Sequence, residues 1–369
     1  MNKIAHLTAF CSGRYPCTAP LTAKRQSERF SFKLGFVKGF YMKKYDIIGI
    51  GNPGQDMVVE LEKIPYEEVS SRMYDCSFQG GGWVATALCA AGNLGANVSM
   101  LGVIGDDTFG KMIVDDFKYN NVDTDHLIVA KEKRSNFCIC ITERSTKSKH
   151  LITRGGELRE VELDDIDEDF IKSARMIHVG FVNDAVRKAA DIMHNNNGKV
   201  SVDAAYYKPY VYKNYDIFDI FIGSEYYFDG VCKELGMKTA KELTDDEKYK
   251  VMEYVQAKGP DIVIFTFGEH GSMGIYGNNR FIQPAMKAEI KDTTGAGDVF
   301  HGAFAVAYLN GLSVPDAARF ATGVSTIKCT QMGGRAGIPD RETLEKFLKT
   351  EQIDKDIISK RVEKYQRGL

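Results

Sequence analysis

From Tyr45 onward, short apolar runs alternate with stretches of helical periodicity. The runs are YDIIGIG (45–51), NVSMLGVIG (97–105), ARMIHVG (174–180), KVSVD (199–203), IFDIFIG (217–223) and DIVIFTFG (261–268). Nearly continuous apolar character is typical of strands that are covered on both faces. The helical stretches between and after them span 108–119, 184–196, 239–257 and 297–310. This alternation predicts an α/β fold with a doubly wound, mostly parallel sheet.

Two regions break the alternation because no helix separates their strands. MVVELEKIP (57–65) is followed by YDCSFQG (74–80), and NFCICITE (136–143) by KHLITRG (149–155). Their period-2 pattern predicts antiparallel strands. We expect these strands to form a small lid over about 52–80 and 135–156. The stretch 341–369 is highly charged, and we expect an exposed helix there, with 351–369 as a charged C-terminal tail.

Residues 1–41 differ from the rest of the chain because they carry seven basic side chains against the single acid Glu28. A basic, hydroxyl-containing and acid-poor segment resembles a transit peptide. Alternatively, Met42 begins the natural reading frame, and the residues before it are a misassigned start or a disordered extension. We favour the second interpretation, with the folded domain over 42–350.

Composition excludes several classes of function. The formal net charge is −2, so no basic field suits nucleic acid or an anionic membrane surface as partner. No apolar run approaches the length of about 18 residues that a membrane-spanning helix needs. The eight cysteines are scattered without a C-x-x-C pair, which predicts buried free thiols in a cytoplasmic protein. Cys138 and Cys140 share one strand face and would not ligate a metal alone.

Two glycine loops resemble nucleotide sites without meeting their requirements. GIGNPG (49–54) matches the dinucleotide fingerprint, but QDMVVELE after it alternates like a strand and no helix receives a pyrophosphate. GDDTFGK (105–111) nearly matches a P-loop, but Met112 stands where the magnesium-binding hydroxyl is needed. We interpret the first as a strand-to-strand turn and the second as a helix N-terminus. A nicotinamide-dependent oxidoreductase would require a helix after the first loop.

The chemistry is concentrated in DTTGAGDVFHGAF (292–304). The backbone amides of Gly295, Ala296 and Gly297 are expected to converge at a helix N-terminus, where free amides and the helix dipole favour an anion. Asp298 follows in the first turn. A carboxylate there is a structural cap or a general base, and the adjoining anion site favours the base of a phosphoryl transfer.

This motif is similar to the second signature of the ribokinase/PfkB family of carbohydrate kinases. GGGWVATALCAAGNLGANVSMLGVIGDDTFG (80–110) resembles the first signature, and the resemblance covers nearly all of 45–345. It implies a ribokinase-like fold, a small sugar as substrate, ATP and Mg²⁺ as cofactors, K⁺ as a further possible cofactor, and a homodimer paired through the lids. It also implies Asp298 as base and 295–297 as the anion hole.

On the acceptor side, the resemblance implies five contacts. Asp56 matches the acid that binds sugar hydroxyls, and Gly81 and Gly82 belong to the glycine run where lid and core meet. Thr86 stands where many members have an asparagine, which argues against ribose. Arg154 is a candidate for binding an anionic group of the acceptor, with a solvated lid arginine as the alternative.

On the nucleotide side, Thr266, Gly268 and Gly271 match a segment that borders the phosphates and ribose of ATP. The family's N-x-x-E motif is degenerate in FIGSEYYF (221–228), with Ser224 in the asparagine place and Tyr227 in the glutamate place. We expect Glu225 to substitute for the missing acid.

In the loop before Asp298, the resemblance assigns Thr294 to the nucleotide site. Asp292, together with the backbone carbonyls near Thr294, resembles the family's monovalent-cation site. His301 lies one helical turn after Asp298, and we interpret it as a packed side chain rather than a second catalyst. Trp83, beside the glycine run, lines the sugar pocket or belongs to the core.

The segment RFATGVSTIKCTQMGGRAGIPD (319–340), with Thr86 and Ser224, looks like sulfofructose kinases. Phe181 departs from that pattern, because it stands where an arginine would grip a sulfonate. We therefore predict phosphorylation of a ketose or ketose derivative, like fructose or sulfofructose. Ribokinase-type or nucleoside kinase activity is the alternative, and a non-catalytic sugar-binding regulator is a more distant one.

Overall fold

The computed structural model describes residues 43–65, 70–146 and 148–368. The predicted extension over 1–41 lies outside them. The strands are β1 Tyr45–Ile50, β2 Gly54–Leu61, β3 Met73–Gly81, β4 Val98–Gly105, β5 Val122–Asp123, β6 Leu127–Ala130, β7 Asn136–Glu143, β8 Lys149–Arg154, β9 Ala174–Val179, β10 Lys199–Ala204, β11 Ile220–Ser224, β12 Ile262–Thr266, β13 Ser272–Tyr276 and β14 Asn279–Gln283. The α-helices are α1 Trp83–Asn93, α2 Thr108–Tyr119, α3 Glu168–Lys172, α4 Asp184–Asn195, α5 Pro209–Tyr212, α6 Glu225–Glu234, α7 Asp245–Gln256, α8 Ala296–Leu309, α9 Val314–Lys328, α10 Arg341–Thr350 and α11 Lys355–Arg367.

The main sheet has the order β14-β13-β12-β11-β10-β9-β1-β4-β5, and β6 pairs with β4. Strands from β12 through β11, β10, β9 and β1 to β4 pair in parallel, and β13 and β14 add antiparallel strands at one edge. The chain builds outward from β1 first to β4 and later to β9, so β1 is a topological switch point. The predicted doubly wound sheet is confirmed, and ligands of such sheets bind at the carboxyl ends of the strands.

The lid is a second sheet with the order β3-β2-β7-β8. Its outer pairs, β2 with β3 and β7 with β8, are antiparallel as predicted. Its central pair, β2 with β7, runs parallel and joins the two predicted antiparallel pairs into one sheet. The physical reason is that β2 and β7 belong to separate hairpins, and a long crossover through the main sheet joins them.

Apolar clusters on both faces of the main sheet form the core. One is built around the buried faces of α4, α6 and α7, and the other around α1, α8 and α9. The two glycine loops take the predicted forms. The turn at 49–54 leads directly into β2, which removes the oxidoreductase interpretation, and Asp107 caps α2 by accepting a hydrogen bond from the Gly110 amide at 2.9 Å.

The C-terminal residues correct the expected tail over 351–369. Lys355–Arg367 form α11, in which Tyr365 is only 1% exposed. The Tyr365 hydroxyl donates to Asp116 at 2.7 Å, and Arg361 donates to the Asn120 side-chain oxygen at 2.8 Å. The charged pattern of this segment suggested an exposed tail. Arg361 and Tyr365 are nevertheless buried, because their polar groups form hydrogen bonds that attach α11 to α2.

Two expectations from the sequence, the absence of a membrane-spanning helix and the presence of free thiols, can be compared with the described residues. Within 43–65, 70–146 and 148–368, no helix combines the length and apolar character needed to cross a bilayer. Cys89, Cys140, Cys232 and Cys329 are buried free thiols, and Cys76 and Cys138 are partly buried free thiols.

Candidate active site

The N-terminus of α8 has the turn that the sequence predicted, with one change in its free amides. Gly295 precedes the helix in the left-handed conformation at φ 73°, and a Cβ there would lie 2.9 Å from the Gly334 backbone, so the turn requires glycine. The Ala296 amide donates to the Thr293 carbonyl at 3.1 Å and closes the turn. In the described chain, the Gly295 and Gly297 amides have no acceptor. The amides left free at this helix N-terminus are therefore those of Gly295 and Gly297, and Ala296 holds the turn in shape.

Asp298 lies half-buried in the first turn of α8. Burial raises its pKa well above the ordinary value, and the nearby charges of Asp203 and Asp56 add to that rise, while Lys328 acts in the opposite direction. The pKa of Asp203 is lowered, because His301 outweighs the effect of burial. Neighbouring carboxyl groups with separated pKa values are a feature of acid–base sites. Asp298 is thus the stronger base of the two.

His301 is buried, and its Nε2 lies 3.3 Å from an Asp203 carboxylate oxygen. Its ring is tilted against that of His178, with centroids 5.3 Å apart. This agrees with the interpretation of His301 as a packed side chain. Its effect on the site is electrostatic, since it keeps Asp203 charged beside Asp298.

Asp56 projects from β2 on the face of the lid that carries its direct neighbours Gln79, Cys138 and Thr153. We call this the inner face. Burial raises the pKa of Asp56 from 3.8 to about 6, although Arg335 and the Cys140 thiol lower it. The charge of Asp56 contributes to the raised pKa of Asp298, so the lid acid and the residue expected to be the base are electrostatically coupled.

Gly81 permits the position of Asp56. A Cβ on Gly81 would lie 2.2 Å from an Asp56 carboxylate oxygen, a distance that no side chain tolerates. Gly82 follows at φ 92° and is the N-cap residue of α1. These glycines are therefore required by close approach and by backbone conformation.

We expect Gly81→Ala to raise the KM for the acceptor about 10- to 100-fold, because displacing Asp56 loses a hydrogen bond to a charged group. Steady-state kinetics with the acceptor varied measure this effect. Gly155→Ala is the matched control, since its Cβ would meet only an Asn136 side-chain atom at 3.7 Å. An unchanged KM in Gly81→Ala would contradict the assigned role of Asp56.

Thr86 is only 2% exposed, and its hydroxyl accepts a hydrogen bond from Arg335 Nε at 3.4 Å. Arg335 is itself fully buried, forms an ion pair with Asp116 and donates to the Gly81 carbonyl at 3.0 Å. The burial of Thr86 and its hydrogen bond to Arg335 argue against the predicted contact with the acceptor. Thr86 instead belongs to the network that fixes the glycine run.

Arg154 was also expected to contact the acceptor, and the lid register contradicts this. Arg154 pairs with Phe137, one residue out of step with Asp56 and its neighbours, so it belongs to the opposite, outer face of the lid. Its guanidinium donates to the Ser135 carbonyl at 2.8 Å and to Glu157 at 3.1 Å. Sequence alone did not give the register that decides the face.

Lys149, at the start of β8, is the inner-face cation that sequence reasoning missed. Its Nζ lies 2.6 Å from an Asp292 carboxylate oxygen and donates to the Thr293 hydroxyl at 2.7 Å. The lid edge therefore contacts the loop that leads into α8. The available signal was periodicity, because Lys149, Leu151 and Thr153 alternate along one face of a predicted strand.

The nucleotide-side residues lie at the carboxyl ends of β11 and β12, where Ser224 pairs with Thr266. The Ser224 hydroxyl caps α6 by accepting from the Tyr227 amide at 3.3 Å, and it donates to the Ala205 carbonyl at 2.5 Å. Tyr227 is fully buried and donates to the Tyr215 hydroxyl. Ser224 is therefore a capping residue, and Glu225, half-buried in the first turn of α6, is the acid of this edge.

The two glycines after β12 have different roles. Gly268 has φ 55° with no atom within 4 Å of a Cβ position, so it borders open space. Gly271 has φ 84°, and a Cβ would lie 2.1 Å from the Gln283 carbonyl, so it is needed for the turn itself. Thr294 donates its hydroxyl to Asp292 at 2.8 Å and stabilises the loop before α8. Gly268 and Thr266 therefore remain the better candidates for nucleotide contact.

Comparison with known proteins agrees with this architecture. The model of the pfkB family of carbohydrate kinases matches residues 42–341. Ribokinase of Bacillus subtilis is 26% identical over 318 residues, covering 82% of this chain and 99% of its own. The nucleoside kinase of Methanothermobacter thermautotrophicus is 23% identical over 309 residues, covering 82% and 95%.

The fold also matches a solved structure, that of Arabidopsis thaliana ribokinase complexed with ribose and ATP. The TM-score is 0.72 at 23% identity, with 83% of this chain and 99% of the other covered. The chain belongs to the pfkB family of carbohydrate kinases and is a sugar or nucleoside kinase.

Proposed function

We propose that this protein transfers the γ-phosphoryl group of ATP to a hydroxyl group of a small neutral ketose or ketose derivative, with Asp298 as the base. One observation carries the proposal. The half-buried Asp298 directly follows Gly295 and Gly297, whose backbone amides have no hydrogen-bond acceptor in the described chain. The charge of Asp56, on the lid, acts on Asp298 and raises its pKa. This arrangement unites a proton acceptor, an anion site and a ligand for hydroxyl groups.

The donor side fits ATP with Mg²⁺. The Gly295 and Gly297 amides at the positive end of α8 would hold phosphate oxygens. Glu225 and Thr266 would border the metal and the phosphates at the carboxyl ends of β11 and β12. When bound, ATP supplies the phosphoryl group, and its Mg²⁺ neutralises part of the negative charge of the phosphates. Asp298 takes the proton of the attacking hydroxyl, and the lid excludes water that would otherwise hydrolyse ATP.

The acceptor side favours a neutral sugar. Asp56, when ionised, accepts hydrogen bonds from sugar hydroxyls, and Trp83, 41% exposed over Gly180, offers a flat apolar surface to the sugar ring. Phe181 packs against the core beside this place. Arg154, the side chain considered for a sulfonate, is on the outer face of the lid. These features support fructose-like ketoses over sulfonated ones.

A nucleoside is the second candidate acceptor because of an aromatic series at the site. Trp83 lies 6.3 Å from Tyr206, and Tyr206 stacks with Tyr226 at 6.0 Å. All three are exposed, at 41%, 50% and 73%. Exposed aromatic rings suit stacking with a base, which a ketose lacks.

A coupled assay for ADP release distinguishes these acceptors. Fructose, sulfofructose, fructosamines, ribose and nucleosides are each supplied with Mg²⁺·ATP. We expect a ketose or a neutral ketose derivative to give the highest kcat/KM. A nucleoside in first place would establish the second candidate. Failure of every acceptor to raise ADP release above the acceptor-free rate would contradict the proposed function.

We also propose a homodimer formed by the outer face of the lid. This face carries the partly buried Met57, Ile139 and Ile141, and Ile152 at 57% exposure. A second copy of the same face would cover these side chains. In sedimentation velocity we expect the wild type to be a dimer and Ile152→Glu a monomer. Leu151→Glu is the matched control, because Leu151 is equally accessible on the inner face. A monomeric wild type would contradict the dimer.

A further inference from the structure

The last residue of α9, Lys328, buries a positive charge directly beneath the anion site. Its side chain is 0% exposed, and its Nζ donates to the Asp292 carbonyl at 3.0 Å and to the Thr294 carbonyl. Both carbonyls belong to the loop that leads into α8. A lone buried ammonium group is strongly unfavourable, so its retention requires compensating oxygen atoms.

Asp292 supplies the opposite charge. Its carboxylate accepts from the Thr294 amide at 2.9 Å and from the Gly333 amide at 2.8 Å, and it is paired with Lys149 from the lid. Although burial raises the pKa of Asp292, the charges of Lys328 and Lys149 together hold it well below its usual range. The loop is thus fixed by an ionised carboxylate and two ammonium groups.

This arrangement does not fit the monovalent-cation site expected at Asp292. The carbonyl oxygens of Asp292 and Thr294 that would coordinate K⁺ already accept hydrogen bonds from Lys328. An ammonium group carries the same charge as K⁺, and the two repel each other at short range. K⁺ therefore has neither the oxygens nor the electrostatic environment it needs here.

We infer that Lys328 is a built-in cation that replaces the monovalent ion, positions the 292–295 loop and makes turnover independent of K⁺. This inference rests on the proposed phosphoryl transfer. A fixed positive charge beneath α8 stabilises the negative charge that develops on the transferred phosphoryl group, without a monovalent cation having to bind first. Lys328 is accordingly a positioning residue.

The first test compares the wild type with Lys328→Met in KCl, NH₄Cl, NaCl and tetramethylammonium chloride at equal ionic strength. We expect the wild-type kcat to be the same in all four salts. We expect Lys328→Met to lose about 10²-fold in kcat in tetramethylammonium, with the acceptor KM little changed, and to recover in K⁺ or NH₄⁺. Lys291→Met, which removes an exposed lysine directly before this loop, should behave like the wild type. Three results would overturn the inference. They are activation of the wild type by K⁺, full activity of Lys328→Met in tetramethylammonium, and failure of K⁺ and NH₄⁺ to restore the activity of Lys328→Met.

The second test needs no acceptor and so separates this inference from the proposed function. Thermal unfolding is followed while K⁺ replaces tetramethylammonium. We expect K⁺ to raise the Tm of Lys328→Met and to leave that of the wild type unchanged, because only the variant frees the carbonyl oxygens. If Lys328→Met does not fold, Lys328→Gln takes its place. Stabilisation of the wild type by K⁺, or no K⁺ effect on the folded variant, would contradict the built-in cation.

Discussion

Replacing Asp298 with asparagine is expected to lower kcat by about 10²–10⁴-fold, because asparagine cannot accept the proton of the attacking hydroxyl. Affinity for ATP and for the acceptor should change little, since the side chains have nearly the same shape. Steady-state kinetics and calorimetric binding measure the two effects separately. In the wild type, kcat should also rise with pH as Asp298 loses its proton, and this limb should disappear in Asp298→Asn.

The alternative role of Asp298 is that of a carboxylate stabilising a helix N-terminus. Asp184 is the matched control, because it lies exposed in the first turn of α4. Asp184→Asn loses a similar interaction with a helix dipole, worth about 0.3–1 kcal/mol, and should keep full activity. If Asp298→Asn turned over at the wild-type rate, the assigned base would be wrong.

Replacing Asp56 with asparagine is expected to raise stability while it lowers activity. The pKa of Asp56 in the folded protein is about 6, above its ordinary value of 3.8. Because the fold favours the protonated form, the wild type loses stability as pH rises through this interval, by at most about 3 kcal/mol. Asparagine removes that penalty. The stability gain of Asp56→Asn should therefore be small at pH values near the ordinary pKa and largest above the folded-state pKa.

Urea denaturation at several pH values measures this gain, and acceptor-dependent kinetics measure the cost. We expect kcat/KM for the acceptor to fall about 10- to 100-fold with the loss of a charged hydrogen bond. Asp106→Asn, in an exposed position before α2, should change neither property. A pH-independent stability difference between Asp56→Asn and the wild type would show that the buried carboxyl group is not the cause.

The helix N-terminus at 295–298 could be predicted because its whole geometry is local. Two glycines, a turn and a carboxylate within a few residues specify the backbone and place the carboxylate beside free amides. The same holds for the two rejected glycine loops, whose following residues alone decided between a strand and a helix.

Contacts made across long sequence separations could not be predicted in this way. Arg154 is one residue out of register with Asp56, and only strand pairing shows that this places it on the other lid face. Lys328 stands in an otherwise uncharged stretch, 320–334, and that position was a signal of a buried charge. Its partners, Asp292 and Thr294, stand 36 and 34 residues earlier in the sequence.

The transfer itself can be followed with ATP labelled with ¹⁸O on the γ-phosphoryl group and a ketose that passes the acceptor screen. Mass spectrometry of the products is expected to show a sugar phosphate in which the non-bridging oxygens carry the label and the bridging oxygen comes from the sugar, formed in equal amount to ADP. Asp298→Asn should form this product at a rate lower by the same factor as its kcat. Label found only in free phosphate, with the sugar unchanged, would contradict direct phosphoryl transfer to the sugar hydroxyl.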